Sequence, residues 1–355
     1  MQRYPTQAPQ DKPSPPVYRR PSRIRFLRKS GKTWVTLQIA GGVVLALLLG
    51  WLLVKGLQWG EFLRYFRHFP VDTFIAALAA FMAATLLRTW RWYILFTKER
   101  LSFFRLFLIQ NAGIGLNNLS PIRVVSDPLQ LALVTRRGGV SAATGLATLA
   151  MARIMDVFVT AALMGIGVIL LPQFRGFTIQ LFGAVAFAFA SVIIFLLIAR
   201  GMDFVPGVKR FPFVRTAIAA ARSMGKSPLR LALSFLGTLG YWALIGLSGW
   251  ITANALDIDV GVAAVVVLFL GSVFIVSAVP SPPGGAVTFE ATVVYTLRLF
   301  GVTGEPALAF AIIMHIIMFA PSTVIALLVL PGEGIKMFGR RDPTIIEDRS
   351  GKEVV

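Results

Sequence analysis

The sequence predicts an all-α fold: a polytopic transmembrane bundle of about six full spans with two broken, re-entrant hairpins, arranged as an inverted-topology repeat. Three observations carry that prediction. Of 355 residues, 56% are hydrophobic and 14% charged, where a soluble domain carries about 25% charged residues. The apolar residues gather into runs of about 20, the length at which a helix crosses hydrocarbon. Lysine and arginine crowd the ends of those runs, as cytoplasmic loops do in membrane proteins. Because lipid offers no partner for an unpaired backbone N–H or C=O, the spanning runs are expected to be helices.

The same charges bound the function. Lys and Arg number 35 against 16 Asp and Glu, a formal charge of +19. That excess fits positive loops facing anionic headgroups, and no RNA- or DNA-binding motif accompanies it, so nucleic acid is not an expected partner. Cysteine is absent, which excludes a disulfide framework, a thiolate metal site and a cysteine nucleophile. No HExxH, P-loop, nucleophile elbow or cluster of metal ligands occurs, so neither a cofactor, a metal nor an enzymatic activity is expected.

In chain order, residues 1–32 hold nine bases against the single acid Asp11. They read as a disordered cytoplasmic tail that either holds loosely to the inner leaflet or only sets topology. A transmembrane domain follows over residues 33–331, and residues 332–355 form a cytoplasmic C-terminal tail. The first span, residues 34–54, lacks a following A-x-A-like site and reads as a retained anchor. Further full spans are expected at residues 71–95, 142–171, 177–199, 228–253 and 306–330. Two more apolar stretches are interrupted. Residues 101–135 break at Asn117-Asn118-Leu119-Ser120-Pro121, and residues 260–300 break at Pro280-Ser281-Pro282-Pro283-Gly284-Gly285. Proline lacks the N–H and clashes with the preceding turn, so each stretch reads as two helical arms with an irregular tip.

Bases before and after the first hairpin (Lys98, Arg100, Arg105, Arg136, Arg137), and from Arg200 to Arg230, place those loops inside. The base-free loop with Asp257 and Asp259 lies outside. Both termini are then cytoplasmic, with the first hairpin entering from the cytoplasm and the second from the opposite side. A weak echo relates the halves. Val140 precedes Arg153 by thirteen residues and Val302 precedes His315 by thirteen, and an acid follows each break, Asp127 and Glu290. Long helix, broken hairpin, long helix, repeated in opposite orientation, is the plan of many secondary transporters.

Ionisable residues within apolar helices are functional candidates because charge at membrane depth is expensive. Arg153 and Asp156 share one face, three residues apart, as a functional pair or as a structural pair locking two helices. Arg123 and Asp127 follow the first break, where a guanidinium beside a helix N-terminus suits a phosphate, unless Arg123 merely snorkels to water. Glu290 either complements its helix dipole or binds a proton. His315 is a proton relay or a packing residue. Arg88 and Arg91, beside Trp90 and Trp92, read as interfacial anchors.

Asn118-Leu119-Ser120-Pro121 leading to Asp127-Pro128, Gly139-Val140-Ser141 leading to Arg153-Ile154-Met155-Asp156, and Pro283-Gly284-Gly285 with Glu290 resemble the flippase-like transmembrane domain of lysylphosphatidylglycerol synthases. That domain is shared with bacterial and archaeal integral membrane proteins. The resemblance covers residues 35–330. The chain departs from the family pattern at Ser126-Asp127 (usually Gly-Glu), Gln130 (Arg), Ala152 (Glu), Val287 (Gly) and His315 (Arg). It implies a prokaryotic plasma-membrane protein that moves an anionic or aminoacylated phospholipid, or a polyprenyl-phosphate-linked lipid, between leaflets. The aminoacyltransferase domain of full synthases is not expected, as only a short tail follows Pro331. On that reading the anionic headgroup is held by Arg123 and Arg153, with Asp156 orienting Arg153 and Asn118, Asp127, Glu290 and His315 lining the site. The alternative is a membrane-embedded glycosyltransferase or lipid-modifying enzyme using Asp127, Asp156 and Glu290 as carboxylate catalysts.

Overall fold

The computed structural model describes residues 30–97, 99–120, 125–177, 227–278 and 282–333, with isolated helical positions at 183, 186 and 190. The chain divides into residues 1–38 and 39–355, and every contact given below lies within the second unit. The described residues are helical and contain no strand. Helix α1 (Ser30–Val54) is followed by the short amphipathic α2 (Trp59–Arg67), bent by 92° from it. Then come α3 (Val71–Tyr93), α4 (Phe103–Leu119), α5 (Ser126–Gly138) and α6 (Ala142–Leu170). After the 3₁₀ turn Pro172–Phe177 the order resumes with α7 (Pro228–Asn254), α8 (Val262–Ala278), α9 (Thr288–Arg298) and α10 (Glu305–Val329).

Four of these, α3, α6, α7 and α10, are long and apolar enough to cross a membrane, and α1 with α2 forms one further bent pair. The span expected at residues 177–199, the tail at residues 1–29 and the segment after residue 333 lie outside the described residues. Both interrupted stretches do break where proline requires it. Helix α4 ends at Leu119 and α5 starts at Ser126; α8 ends at Ala278, a 3₁₀ turn runs Pro283–Gly285, and α9 starts at Thr288. The returning arms have 13 and 11 residues, about 20 and 17 Å at ~1.5 Å per residue, well short of the ~30 Å of hydrocarbon. Proline is not always a stop, however: Pro321 lies inside α10, where neighbouring helices tolerate the lost hydrogen bond.

Turn chemistry sets the hairpin ends. Helix α5 closes on Gly139 at φ 65°, a left-handed conformation that a glycine adopts without steric cost. Two residues later the Ser141 hydroxyl caps α6 by accepting the Thr144 N–H at 3.1 Å. Apolar helices in lipid gain nothing from hiding from water, so close backbone approach must hold them together, and glycines provide it. Helix α3 packs along α7, where a Cβ on Gly237 would stand 3.0 Å from Arg91 Cβ and one on Gly240 2.8 Å from Leu87. Helix α4 packs along α10, where a Cβ on Gly115 would fall 2.0 Å from the Ser322 carbonyl oxygen.

Gly115→Ala therefore overpacks the α4–α10 seam and is expected to destabilise the protein by about 1–3 kcal/mol. Gly165→Ala, with nothing within 4 Å of its Cβ, is expected to leave stability unchanged or slightly raised. Thermal unfolding of the two variants in detergent checks the difference.

Candidate functional site

Helix α6 places Arg153 and Asp156 one turn apart, and the structure joins them: Arg153 Nη1 donates to Asp156 Oδ2 at 3.3 Å. Asp156 is gripped from its other side by Arg91 of α3, with Nη2 to Oδ1 at 2.7 Å. Arg91 is 1% exposed, and its Nη1 donates to the Thr238 hydroxyl of α7 at 3.1 Å. The Ser234 hydroxyl donates to the Arg91 carbonyl at 3.0 Å, and Arg91 and Arg88 both lie over the Tyr241 ring. The expectation that Arg91 is an interfacial anchor is thus corrected. It is a buried partner of Asp156, because the tight α3–α7 seam carries its side chain inward toward α6. Arg88 stays half-buried, its Nη1 3.4 Å from the Tyr241 hydroxyl.

On the other side of the Arg153 guanidinium stands the first broken hairpin. Arg153 Nε donates to Asp127 Oδ2 at 2.9 Å, and Nη2 donates to Oδ1 of the same carboxylate. The resulting line of charge runs Arg91, Asp156, Arg153, Asp127, from the α3–α7 seam through α6 to the first turn of α5. Its two ends differ in burial. The Arg91 and Asp156 side chains are 2% and 21% exposed, whereas Arg153 and Asp127 are 37% and 42%. An exposed pair of that kind contributes about 0–1 kcal/mol, while removing one partner of a buried pair costs about 3–5 kcal/mol. With Arg88 counted, three guanidinium groups stand against two carboxylates, one positive charge in excess among the described residues.

The second hairpin builds a parallel contact. Glu290, third residue of α9, has Oε1 2.6 Å from His315 Nδ1, and His315 is the eleventh residue of α10. Asp127 and Arg153 are the second and twelfth residues of α5 and α6. In both hairpins an acid in the first turn of the returning arm meets a basic side chain three turns into the helix that follows. His315 is boxed by Phe289 and Phe319, with ring centroids at 5.2 and 4.2 Å. The other Glu290 oxygen and the Thr288 hydroxyl are buried without a hydrogen-bond partner. The second tip is strained, since Val287 adopts φ 68°, a conformation unfavourable for a β-branched side chain.

The end of α4 and the second tip meet. A Cβ on Gly284 would lie 3.7 Å both from the Asn118 carbonyl oxygen and from His315 Nε2, ordinary contact distances, and it is the φ of 71° that favours glycine in this turn between α4 and α10. The Asn118 side chain itself turns away. Its Nδ2 donates to the Phe319 carbonyl at 3.3 Å and the Thr323 hydroxyl at 3.2 Å, pinning the end of α4 to α10. Arg123 lies outside the described residues. Of the expected site residues, then, Asp127, Arg153 and Asp156 form one cluster, and Glu290 and His315 a second beside Asn118. Sequence reading missed Arg91, Thr238 and Tyr241. The available signal was the three-residue spacing of Arg88 and Arg91 on an apolar helix, which matches that of Arg153 and Asp156.

The family model of the lysylphosphatidylglycerol synthase TM region matches residues 38–326. A UPF0104 membrane protein of Methanothermobacter thermautotrophicus is 23% identical over 239 residues, covering 60% of this chain and 69% of that relative. No solved structure matches the chain.

The difference in burial separates the two arginines by experiment. Arg91→Ala leaves Asp156 without its inner partner and is expected to lower stability by about 3–5 kcal/mol, while Arg153→Ala is expected to cost about 1 kcal/mol or less. Thermal unfolding in the same detergent reads both. Equal losses would show that the burial contrast does not govern the cluster.

Proposed function

Since the chain belongs to the family of the lysylphosphatidylglycerol synthase TM region and is a membrane protein, we propose that it moves an anionic lipid between leaflets, with the headgroup phosphate held by Arg153. The lipid is an anionic or aminoacylated phospholipid or a polyprenyl-phosphate-linked lipid. The observation that carries the reading is a guanidinium whose one side is tied through Asp156 to the buried Arg91 and whose fork faces an uncovered carboxylate on a broken helix. Ionised groups with more than a third of their side-chain surface uncovered cannot face hydrocarbon at low cost, so they mark a polar path. The single excess positive charge matches the single negative charge of a phosphodiester, and a guanidinium fork suits phosphate oxygens.

The arms α5 and α9 are too short to cross, which supports hairpins that turn back within the bilayer. The matched contacts Asp127–Arg153 and Glu290–His315 support a duplicated unit. With both termini cytoplasmic in a prokaryotic plasma membrane, the two hairpins enter from opposite leaflets. Substrate then passes between the two tips, and Glu290 and His315 respond to protons or headgroup on the second side. The reading as a lipid-modifying enzyme is weaker, because Asp156 is held by two guanidinium groups and is not free to act as an acid or base.

Reconstitution into liposomes with headgroup-labelled phosphatidylglycerol tests the proposal. Arg153→Ala is expected to slow leaflet exchange by tenfold or more, about 1.4 kcal/mol or greater, with Arg153→Lys retaining part of it. Exchange by Arg153→Ala at the rate of the unaltered protein would overturn the function.

A further inference from the structure

Each nitrogen of the Arg153 guanidinium donates to a carboxylate, through three of its five N–H groups. Nε and Nη2 donate to the two oxygens of Asp127, and Nη1 donates to Asp156. A carboxylate bound two-pronged fills the same fork that two phosphate oxygens fill, so a phosphate takes the Nε–Nη2 edge of Arg153 only after the acid there has left. Asp156 is held a second time, by the buried Arg91 at 2.7 Å, and sits inside a 29-residue helix. Asp127 has no second cation among the described residues, its side chain is 42% exposed, and it stands in the first turn of a 13-residue arm. That arm begins without a side-chain cap, Val125 offering none. An aspartate released there is therefore favoured by its own helix N-terminus.

We infer that Asp127 is a displaceable latch: in the empty site it occupies the Arg153 fork and ties α5 to α6, and an arriving phosphate group replaces it and frees the first hairpin arm. This rests on Arg153 as the phosphate holder. It adds the step by which binding is converted into movement of the arm. The shared chemistry is a phosphate anion, whether on a lipid or in solution.

The chain has no cysteine, so Leu131→Cys with Gly145→Cys places the only two thiols across the α5–α6 contact, where a Cβ on Gly145 would lie 2.9 Å from Leu131 Cδ1. The oxidation rate of this pair is measured in nanodiscs of digalactosyldiacylglycerol, which carries no phosphate. Three arms are compared: no addition, phosphatidylglycerol in the bilayer, and inorganic phosphate in solution. The latch predicts fast cross-linking without phosphate and a roughly two- to fivefold slowing by phosphatidylglycerol, the range set by one uncovered ion pair. In the same background Asp127→Asn is expected to be slow without any phosphate, and Asp127→Glu to restore the fast rate, which separates lost charge from misfolding.

Asp127→Asn cross-linking as fast as the unaltered pair, Asp127→Glu failing to restore the rate, or no effect of either phosphate source would each overturn the latch. Slowing by inorganic phosphate alone supports the latch and overturns the lipid reading. Lipid exchange that still depends on Arg153, with no change in cross-linking, overturns the latch and leaves the transport function standing.

Discussion

The buried ion pair between Arg91 and Asp156 is the constraint on which the rest of the site depends. Two ions taken out of water are stabilised only by close geometry and by satisfaction of their remaining donors and acceptors. Here Thr238 takes one Arg91 nitrogen at 3.1 Å and Asp156 sits at 2.7 Å on another, while the third, Nε, is buried without a hydrogen-bond partner. The pair joins α3 to α6 against α7, three of the four helices long enough to cross a membrane. It also decides what Arg153 can do. With Asp156 committed inward, it draws one edge of the Arg153 guanidinium to itself and leaves the other edge pointing at the broken hairpin.

Small residues make that geometry possible. Gly237 and Gly240 let α3 and α7 approach until Arg91 lies between them and α6, and Gly115 does the same for α4 and α10. Gly284, at φ 71°, lets the second tip fit between the end of α4 and His315. Polar side chains then stitch the seams, as with Asn118 to Phe319 and Thr323, Ser322 to Asn111 at 2.9 Å, and Ser248 to the Ala77 carbonyl at 2.7 Å. Rigid long helices therefore frame two short arms, each of which offers one acid to one basic side chain. A site in which the frame is fixed and the arms are short is suited to exchange partners, because only the arm need move.

Local chemistry was legible in the residues, and long-range pairing was not. Pro121 and Pro282-Pro283 announced the breaks because a missing N–H acts within one turn, and Arg153 with Asp156 announced a pair because three residues is one helical turn. The partner of Asp156 lies 65 positions away on α3. Its neighbours Trp90 and Trp92 resemble a membrane-interface belt, so Arg91 was hidden by a pattern that usually means anchoring. Asn118 is visible beside the break, but the reach of its Nδ2 to Phe319 and Thr323 of α10 is not. The meeting of Glu290 with His315 was half visible, as an equal thirteen-residue spacing to Arg153 and His315, but only the fold could turn spacing into contact.

A density map of the protein in nanodiscs containing phosphatidylglycerol tests the account most directly. The account predicts a phosphate within hydrogen-bond distance of the Arg153 fork, with Asp127 displaced and Arg91 still on Asp156. A map with lipid present in which Arg153 remains closed on Asp127, or in which Arg91 and Asp156 have come apart, would contradict it.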